Sequence, residues 1–328
     1  LTQDPGNPPE QTLDVEQAIA AAMQHQSAGQ YAQAEQLYRR VLQVVPNHPV
    51  ALQLLGVLAH MAGQSATALE LIRAAVTVAP DYVAAHNNLG NVLRDMGQLT
   101  EAADAYRHAL ELKPDYAEAL GNLGLTQQGL GELQEAIESY RRALALKPQL
   151  VDTLNNLGNA LSQVGDLQAA IDSFEQALTI KPDHAQLLLN LGIALKQQGR
   201  IDDAIASFTR ATQLQPDYAV AHNSLGLALQ RCGRLDEAAL SYQQALRIEQ
   251  GQADYHYNLA NVLELRGQLR SALAGYRKAL ELKPQFKEAA GSIGSVLLAL
   301  GEAEEGLAME REGFGVISFD LVKGLSID

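Results

Sequence analysis

Residues 81–114 read DYVAAHNNLGNVLRDMGQLTEAADAYRHALELKP. The stretch reads as helix, turn, helix. Asp81 follows Pro80, which breaks the preceding helix, so Asp81 is expected to cap the first helix of the pair. Gly97 permits a sharp turn between the two helices. The second helix runs through EAADAYRHAL and ends before Pro114. Outward from this stretch the same punctuation recurs. Pro46, Pro80, Pro114, Pro148, Pro182, Pro216 and Pro284 stand in one register of 34 residues, with Gln250 in the slot that lacks proline. Gly29, Gly63, Gly97, Gly131, Gly165, Gly199, Gly233, Gly267 and Gly301 follow the same period. Asp115 with Glu118, and Asp183 with Gln186, have the spacing of a capping box.

Let the turn glycine be position 15 of each repeat and the proline position 32. Position 8 is then Gly or Ala throughout, from Ala22 to Gly294, and position 20 is Ala from Ala34 to Ala272. Position 24 is large: Tyr38, Ile72, Tyr106, Tyr140, Phe174, Phe208, Tyr242 and Tyr276. Large knobs facing small holes predict a packed seam between helices. The expected fold is all-α, an α–α superhelix of about nine helix-turn-helix repeats over residues 13–312.

A 34-residue period with this pattern resembles the tetratricopeptide-repeat family over roughly residues 15–312. The family's usual tryptophan at position 4 is replaced by Leu52, His86, Leu120, Leu154, Leu188, His222 and His256. The NNLGN runs and LKPDY joints look especially similar to the repeat region of the O-linked N-acetylglucosamine transferases. That resemblance implies a right-handed superhelix that binds protein segments. It also admits a second reading, the substrate-recruiting part of a larger transferase. A third is a self-assembling scaffold joined through its ends.

A helical wheel places positions 4, 7, 8 and 11 of the first helix on the packed face, and positions 2, 6, 9 and 13 opposite, facing the groove. Position 6 carries Asn88, Asn122, Asn156, Asn190 and Asn258, with Ser224 and Ser292 elsewhere. Position 9 carries Asn91, Asn159 and Asn261, and position 5, on the flank, adds Asn87, Asn155 and Asn223. Asparagine is a mediocre helix former, so a column of it calls for a reason other than propensity. Its amide donates and accepts, which suits the backbone of an extended peptide whatever that peptide's side chains. The transferase repeats carry a similar ladder for substrate peptides. The alternative is that the amides bond neighbouring repeats to one another. In the first two repeats the groove turns apolar, with Ile19, Met23, Val50, Leu54, Val57 and Met61, and such a patch marks a contact site for a partner or a second copy.

Composition narrows the rest. Lys and Arg number 24 against 38 Asp and Glu, for a net charge of −14. A nucleic-acid partner is not expected of such a chain, because wrapping phosphates needs a dense basic surface. No run approaches the apolar length of a membrane span. The single cysteine, Cys232, allows no internal disulfide and fits a reducing compartment, so a cytoplasmic location is expected. No Walker loop, nucleophile elbow, HExxH or CxxC is present, so neither catalysis nor a cofactor or metal is expected of these residues. His222 and His256 recur at position 4 and read as core histidines rather than ligands. Residues 1–12 are rich in Pro, Gln and Asn and read as disordered. The ninth repeat decays at Gly306, Glu310 and Gly313. The tail 313–328, with Val316, Ile317, Phe319 and Leu321, reads as a cover for the last repeat or a link to a further domain.

Overall fold

A computed structural model describes residues 14–301, and the segment 1–12, the decaying part of the ninth repeat and the tail 313–328 lie outside the described residues. The chain divides into two compact units, one ending at Val164 and the other beginning at Gly165. The first unit holds α1 (Val15–Ser27), α2 (Tyr31–Val44), α3 (Pro49–Met61), α4 (Ser65–Val78), α5 (Val83–Asp95), α6 (Leu99–Leu112), α7 (Ala117–Gly129), α8 (Leu133–Leu146) and α9 (Val151–Val164). The second holds α10 (Leu167–Ile180), α11 (Ala185–Gln198), α12 (Ile201–Leu214), α13 (Ala219–Arg231), α14 (Leu235–Ile248), α15 (Ala253–Leu265), α16 (Leu269–Leu282) and α17 (Lys287–Ala299). No strand occurs among the described residues. The fold is all-α, of the α–α superhelix class. Within each unit consecutive helices pack on one another, most closely the two of one repeat, as in α5 with α6 or α13 with α14.

The turn glycines explain the tight hairpins. Gly97, at φ 78°, takes the left-handed conformation that closes α5 and lets α6 start at Leu99. The seam inside the hairpins of each unit is the predicted knob in a hole. A Cβ added at Gly90 would lie 2.5 Å from the Tyr106 ring, and one at Gly226 would lie 2.6 Å from the Tyr242 ring. Both rings are fully buried. In the eighth repeat the hole is filled by Ala260, and the compensation comes from across the seam. Residue 275 is Gly, where a Cβ would meet the Ala260 methyl at 2.9 Å. Tyr276 buries completely, as Tyr38 does in the first repeat, where Ala22 fills the same hole and Leu37 stands in the place of Gly275.

The helix starts differ from the expected caps. Asp81, Asp115 and Asp183 are not the capping residues: α5 and α7 are preceded by Tyr82 and Tyr116, with no side-chain cap bond, and α11 by His184. The cause is a turn set by proline. The Tyr82 N–H donates to the Ala79 carbonyl at 3.1 Å and the Tyr116 N–H to the Lys113 carbonyl at 3.3 Å. Pro and Asp thus fill the two central places of a β-turn, which moves the helix start one residue on. Side chains do cap other helices: Asp14, His48, Asp166 and His184 accept from the N–H three residues ahead.

The histidines at position 4 are not all core residues: His86 is buried, but His222 and His256 are half-buried, because their rings turn to the joint before the helix. Nε2 of His86, His222 and His256 lies 2.8, 3.0 and 3.0 Å from the carbonyl oxygens of Pro80, Pro216 and Gln250. Each ring donates to a carbonyl just past a helix end, where helical partners run out. Gln250 supplies that carbonyl as well as proline does.

Candidate functional site

Two positions decide what the outward face of the first helices offers. The wheel puts positions 6 and 9 outward. Asn88, Asn91, Asn122, Asn156 and Asn159 in the first unit, and Asn190, Asn258 and Asn261 in the second, are indeed half-buried rather than buried. Position 5 lies deeper: Asn155 and Asn223 are half-buried, while Asn87 is only 1% exposed. Ser224, at position 6, is also buried.

In the first unit Asn122 is fully engaged. Its Nδ2 donates to Asn91 Oδ1 at 3.1 Å and to Asn87 Oδ1 at 3.3 Å, both on the preceding first helix, and its Oδ1 accepts from Arg94 at 3.4 Å. Asn91 Oδ1 also accepts from the buried Tyr106 hydroxyl at 2.7 Å. Asn88 stands at the same place one repeat earlier and finds no such acceptors. Behind it, position 9 is Val57 and position 5 is Gln53, whose Oε1 already accepts from the Tyr82 hydroxyl at 3.1 Å. Behind Asn156 stand Gly121 and Leu125, which have no side-chain acceptor. Neither Asn88 nor Asn156 has a hydrogen-bond partner among the described residues. The Nδ2 of Asn91 also points to no described acceptor.

The second unit repeats the logic with one bond in place of two. Asn258 Nδ2 donates to Asn223 Oδ1 at 2.9 Å, and position 9 behind it is Leu227, which cannot accept. Asn190 Oδ1 accepts from Gln186 at 3.0 Å. Asn261 Oδ1 accepts from the Tyr276 hydroxyl at 2.7 Å, and that hydroxyl also reaches Glu264. Asn261, Glu264, Leu265 and Leu269 line an open hollow of about 530 Å³.

The predicted apolar patch is uneven. Met23 and Met61 are 51% and 58% exposed. Val50 and Val57 are half-buried. Ile19 and Leu54 lean on the core formed by Ala18, Ala22, Tyr38 and their neighbours. Sequence reading passed over the glutamines that anchor the tyrosine knobs. The hydroxyls of Tyr38, Tyr140 and Tyr242 donate to Gln26, Gln128 and Gln230 at 3.0, 3.1 and 2.9 Å. The signal was a constant separation of 12 residues between phenol and amide. Burial pushes the Tyr38 phenol up to about 12, aided by the nearby Tyr82. The phenols of Tyr106, Tyr140, Tyr242 and Tyr276 are raised further, again chiefly by burial.

Among the described residues no three His, Cys, Asp or Glu side chains cluster as a metal site would require, and no helix is long and apolar enough to cross a membrane. Cys232 is exposed and free.

The family model described as the cilia and flagella-associated protein 70 C-terminal domain matches residues 117–313. Two tetratricopeptide-repeat models match residues 81–149 and 25–90. No curated protein matches the chain. Among solved structures, MamA is 30% identical over 49% of this chain and 95% of its own, with a TM-score of 0.48. A tetratricopeptide repeat protein from Parabacteroides merdae is 19% identical over 76% of this chain and 98% of its own, at a TM-score of 0.57. YrrB, described as a tetratricopeptide protein with an unusual peptide-binding site, is 20% identical over 56% and 95%, at 0.50. At these identities the last two likenesses speak for the fold.

Proposed function

Because this chain belongs to the tetratricopeptide-repeat family, we propose that it holds an extended peptide segment of a partner protein along the outward face of its first helices. Tetratricopeptide proteins are in general protein–protein interaction modules, and such scaffolds are in general not catalytic. The observation that carries the finer reading is the pair of open amides, Asn88 and Asn156, in the unit that ends at Val164. An amide with no internal partner is solvated in the free protein and exchanges water for a peptide carbonyl or N–H on binding. Asn91 Nδ2 adds a third open donor on α5, the helix of Asn88. Met23 and Met61 add apolar surface at the start of the unit for a side chain of the segment. Asn122 and Asn87 are assigned the other role, holding consecutive repeats together.

The test is a peptide-display selection on the whole chain, followed by affinity measurement of the selected peptide. Asn88→Ala combined with Asn156→Ala is expected to weaken binding about five- to a hundredfold, at roughly 0.5–1.5 kcal/mol for each amide. The thermal melt should not move. Unchanged affinity in the double variant, or a selection that enriches nothing, refutes the reading.

A further inference from the structure

Glu264 is a carboxylate where the fold asks for none. It stands in the last turn of α15, at the carbonyl end of the helix, where a negative charge is unfavourable. It is half-buried, and it makes no ion pair among the described residues. Arg266, two residues on, pairs instead with Asp236 at 2.8 Å.

Anchoring the tyrosine knob does not need this charge. Glu264 is position 12 of its repeat, and position 12 is neutral or basic in the seven preceding repeats. Gln26, Gln128 and Gln230 accept there from Tyr38, Tyr140 and Tyr242 with an uncharged amide. In the eighth repeat the Tyr276 hydroxyl lies 2.7 Å from Asn261 Oδ1 and 2.5 Å from Glu264 Oε2. Burial chiefly, and then the bond to Glu264, raise the phenol, so the hydroxyl keeps its single proton. One proton serves one acceptor well, and Asn261 is already such an acceptor. The charge of Glu264 is thus surplus to the seam, and its Oε1 meets no described donor. Beside it opens the hollow of about 530 Å³, lined by Asn261, Glu264, Leu265 and Leu269. Leu265, 62% exposed, is the barest large apolar side chain among the described residues, and Leu269 is half-buried. A carboxylate next to apolar surface matches one kind of side chain, an alkyl stem that ends in a cation.

We propose that Asn261, Glu264, Leu265 and Leu269 form a pocket for an arginine or lysine side chain of a partner segment. The stem lies on Leu265 and Leu269, the cation pairs with Glu264, and Asn261 Nδ2 meets a backbone carbonyl of the segment. The counter-charge that the chain withholds from Glu264 arrives with the partner. Asn88 and Asn156 belong to the other unit. The pocket therefore rests on the reading above only in that a partner segment is bound, and it can fail separately.

A chain of net charge −14 attracts any polycation, so the experiment separates one carboxylate from the rest. Glu264→Gln keeps the shape and an acceptor for Tyr276 and removes the charge. Glu175→Gln removes the same charge from an exposed site on α10 of the same unit. A labelled synthetic peptide that alternates leucine with arginine, and its isosteric neutral twin with citrulline, are titrated against the whole chain by fluorescence anisotropy. The arginine peptide should bind saturably, and Glu264→Gln should weaken it about tenfold or more. Glu175→Gln should stay within about twofold of the parent. The citrulline peptide should bind weakly and equally to all three proteins. Glu264→Gln should melt no lower than the parent, because the charge opposes the helix end. Equal losses in the two variants, full affinity in Glu264→Gln, or no saturable binding of the arginine peptide overturns the proposal. A clear fall in the melting temperature of Glu264→Gln would assign the carboxylate to the fold and overturn it too. A tenfold gain in affinity on Lys323→Ala, which removes the one cation of residues 313–328, would make the chain's own tail the occupant and remove the partner. A display-selected peptide that loses affinity in the Asn88→Ala, Asn156→Ala variant and not in Glu264→Gln sinks the pocket and leaves the amide reading standing. The reverse result sinks the amide reading alone.

Discussion

Asn88 and Asn122 stand one repeat apart at the same place on α5 and α7, yet the first amide is open and the second is closed on three sides. Residue type and helix face are identical, so neither explains the difference. What differs is the helix behind. Asn122 looks back on Asn87 and Asn91, two acceptors, whereas Asn88 looks back on Val57, which has none, and on Gln53, whose Oε1 is turned to the Tyr82 hydroxyl. In a repeat array the availability of a side chain is a property of two consecutive repeats. A column that looks uniform in the alignment of repeats is, chemically, a mixture of rivets and free hands.

The strongest way to break the closed network is to ionise the phenols it leans on. Tyr106 holds Asn91, which holds Asn122. In the folded chain the Tyr38 phenol lies at about 12 against an ordinary value of 10.0, and four other buried phenols are raised in the same direction. Since the folded values exceed the unfolded one, their stabilising contribution is complete below pH 10 and is lost as pH rises through the folded values. Helical circular dichroism should therefore collapse above about pH 10, together with the rise of phenolate absorbance. Phenolate absorbance reaching the full value for all eleven tyrosines while the helices remain intact would contradict this.

Next in size is Asn91→Ala, which takes the acceptor from both the buried Tyr106 hydroxyl and Asn122. A loss of about 2–3 kcal/mol is expected in denaturant melts. Asn122→Ala leaves the buried Asn87 oxygen without its donor and should cost about 1–2 kcal/mol. If either variant melts like the parent, the closed state of Asn122 has no structural value. The smallest effect belongs to the open amide: Asn88→Ala should stay within about 0.5 kcal/mol of the parent. The comparison is sharpest in reverse. Val57→Asn gives Asn88 an acceptor, and should raise the melting temperature slightly while lowering affinity for a selected peptide.

Much of this was legible in the sequence. The period of Gly97 and Pro114 announces the hairpins, and the pairing of Gly90 with Tyr106 announces the seam, because both are matters of volume and backbone freedom at fixed spacing. The outward placement of positions 6 and 9 follows from helical geometry alone. Asp81 misled because the Pro-Asp pair fills a β-turn, and the turn displaces the cap by one residue. The roles of the asparagines stayed open because the deciding partners lie 31 and 35 residues away, beyond what one helix wheel displays.

The exchange of Ala260 and Gly275 across the eighth seam bears on how such a chain can be copied and shuffled. A crossover at a proline joint moves a hairpin as a whole and keeps its two halves matched. A crossover at the turn glycine would set the Ala260 methyl against Ser241, where the chain now holds Gly275, or leave Gly226 facing Gly275 across a void. Duplications that survive are thus expected to break at the prolines, which makes the hairpin the unit of inheritance as well as the unit of packing.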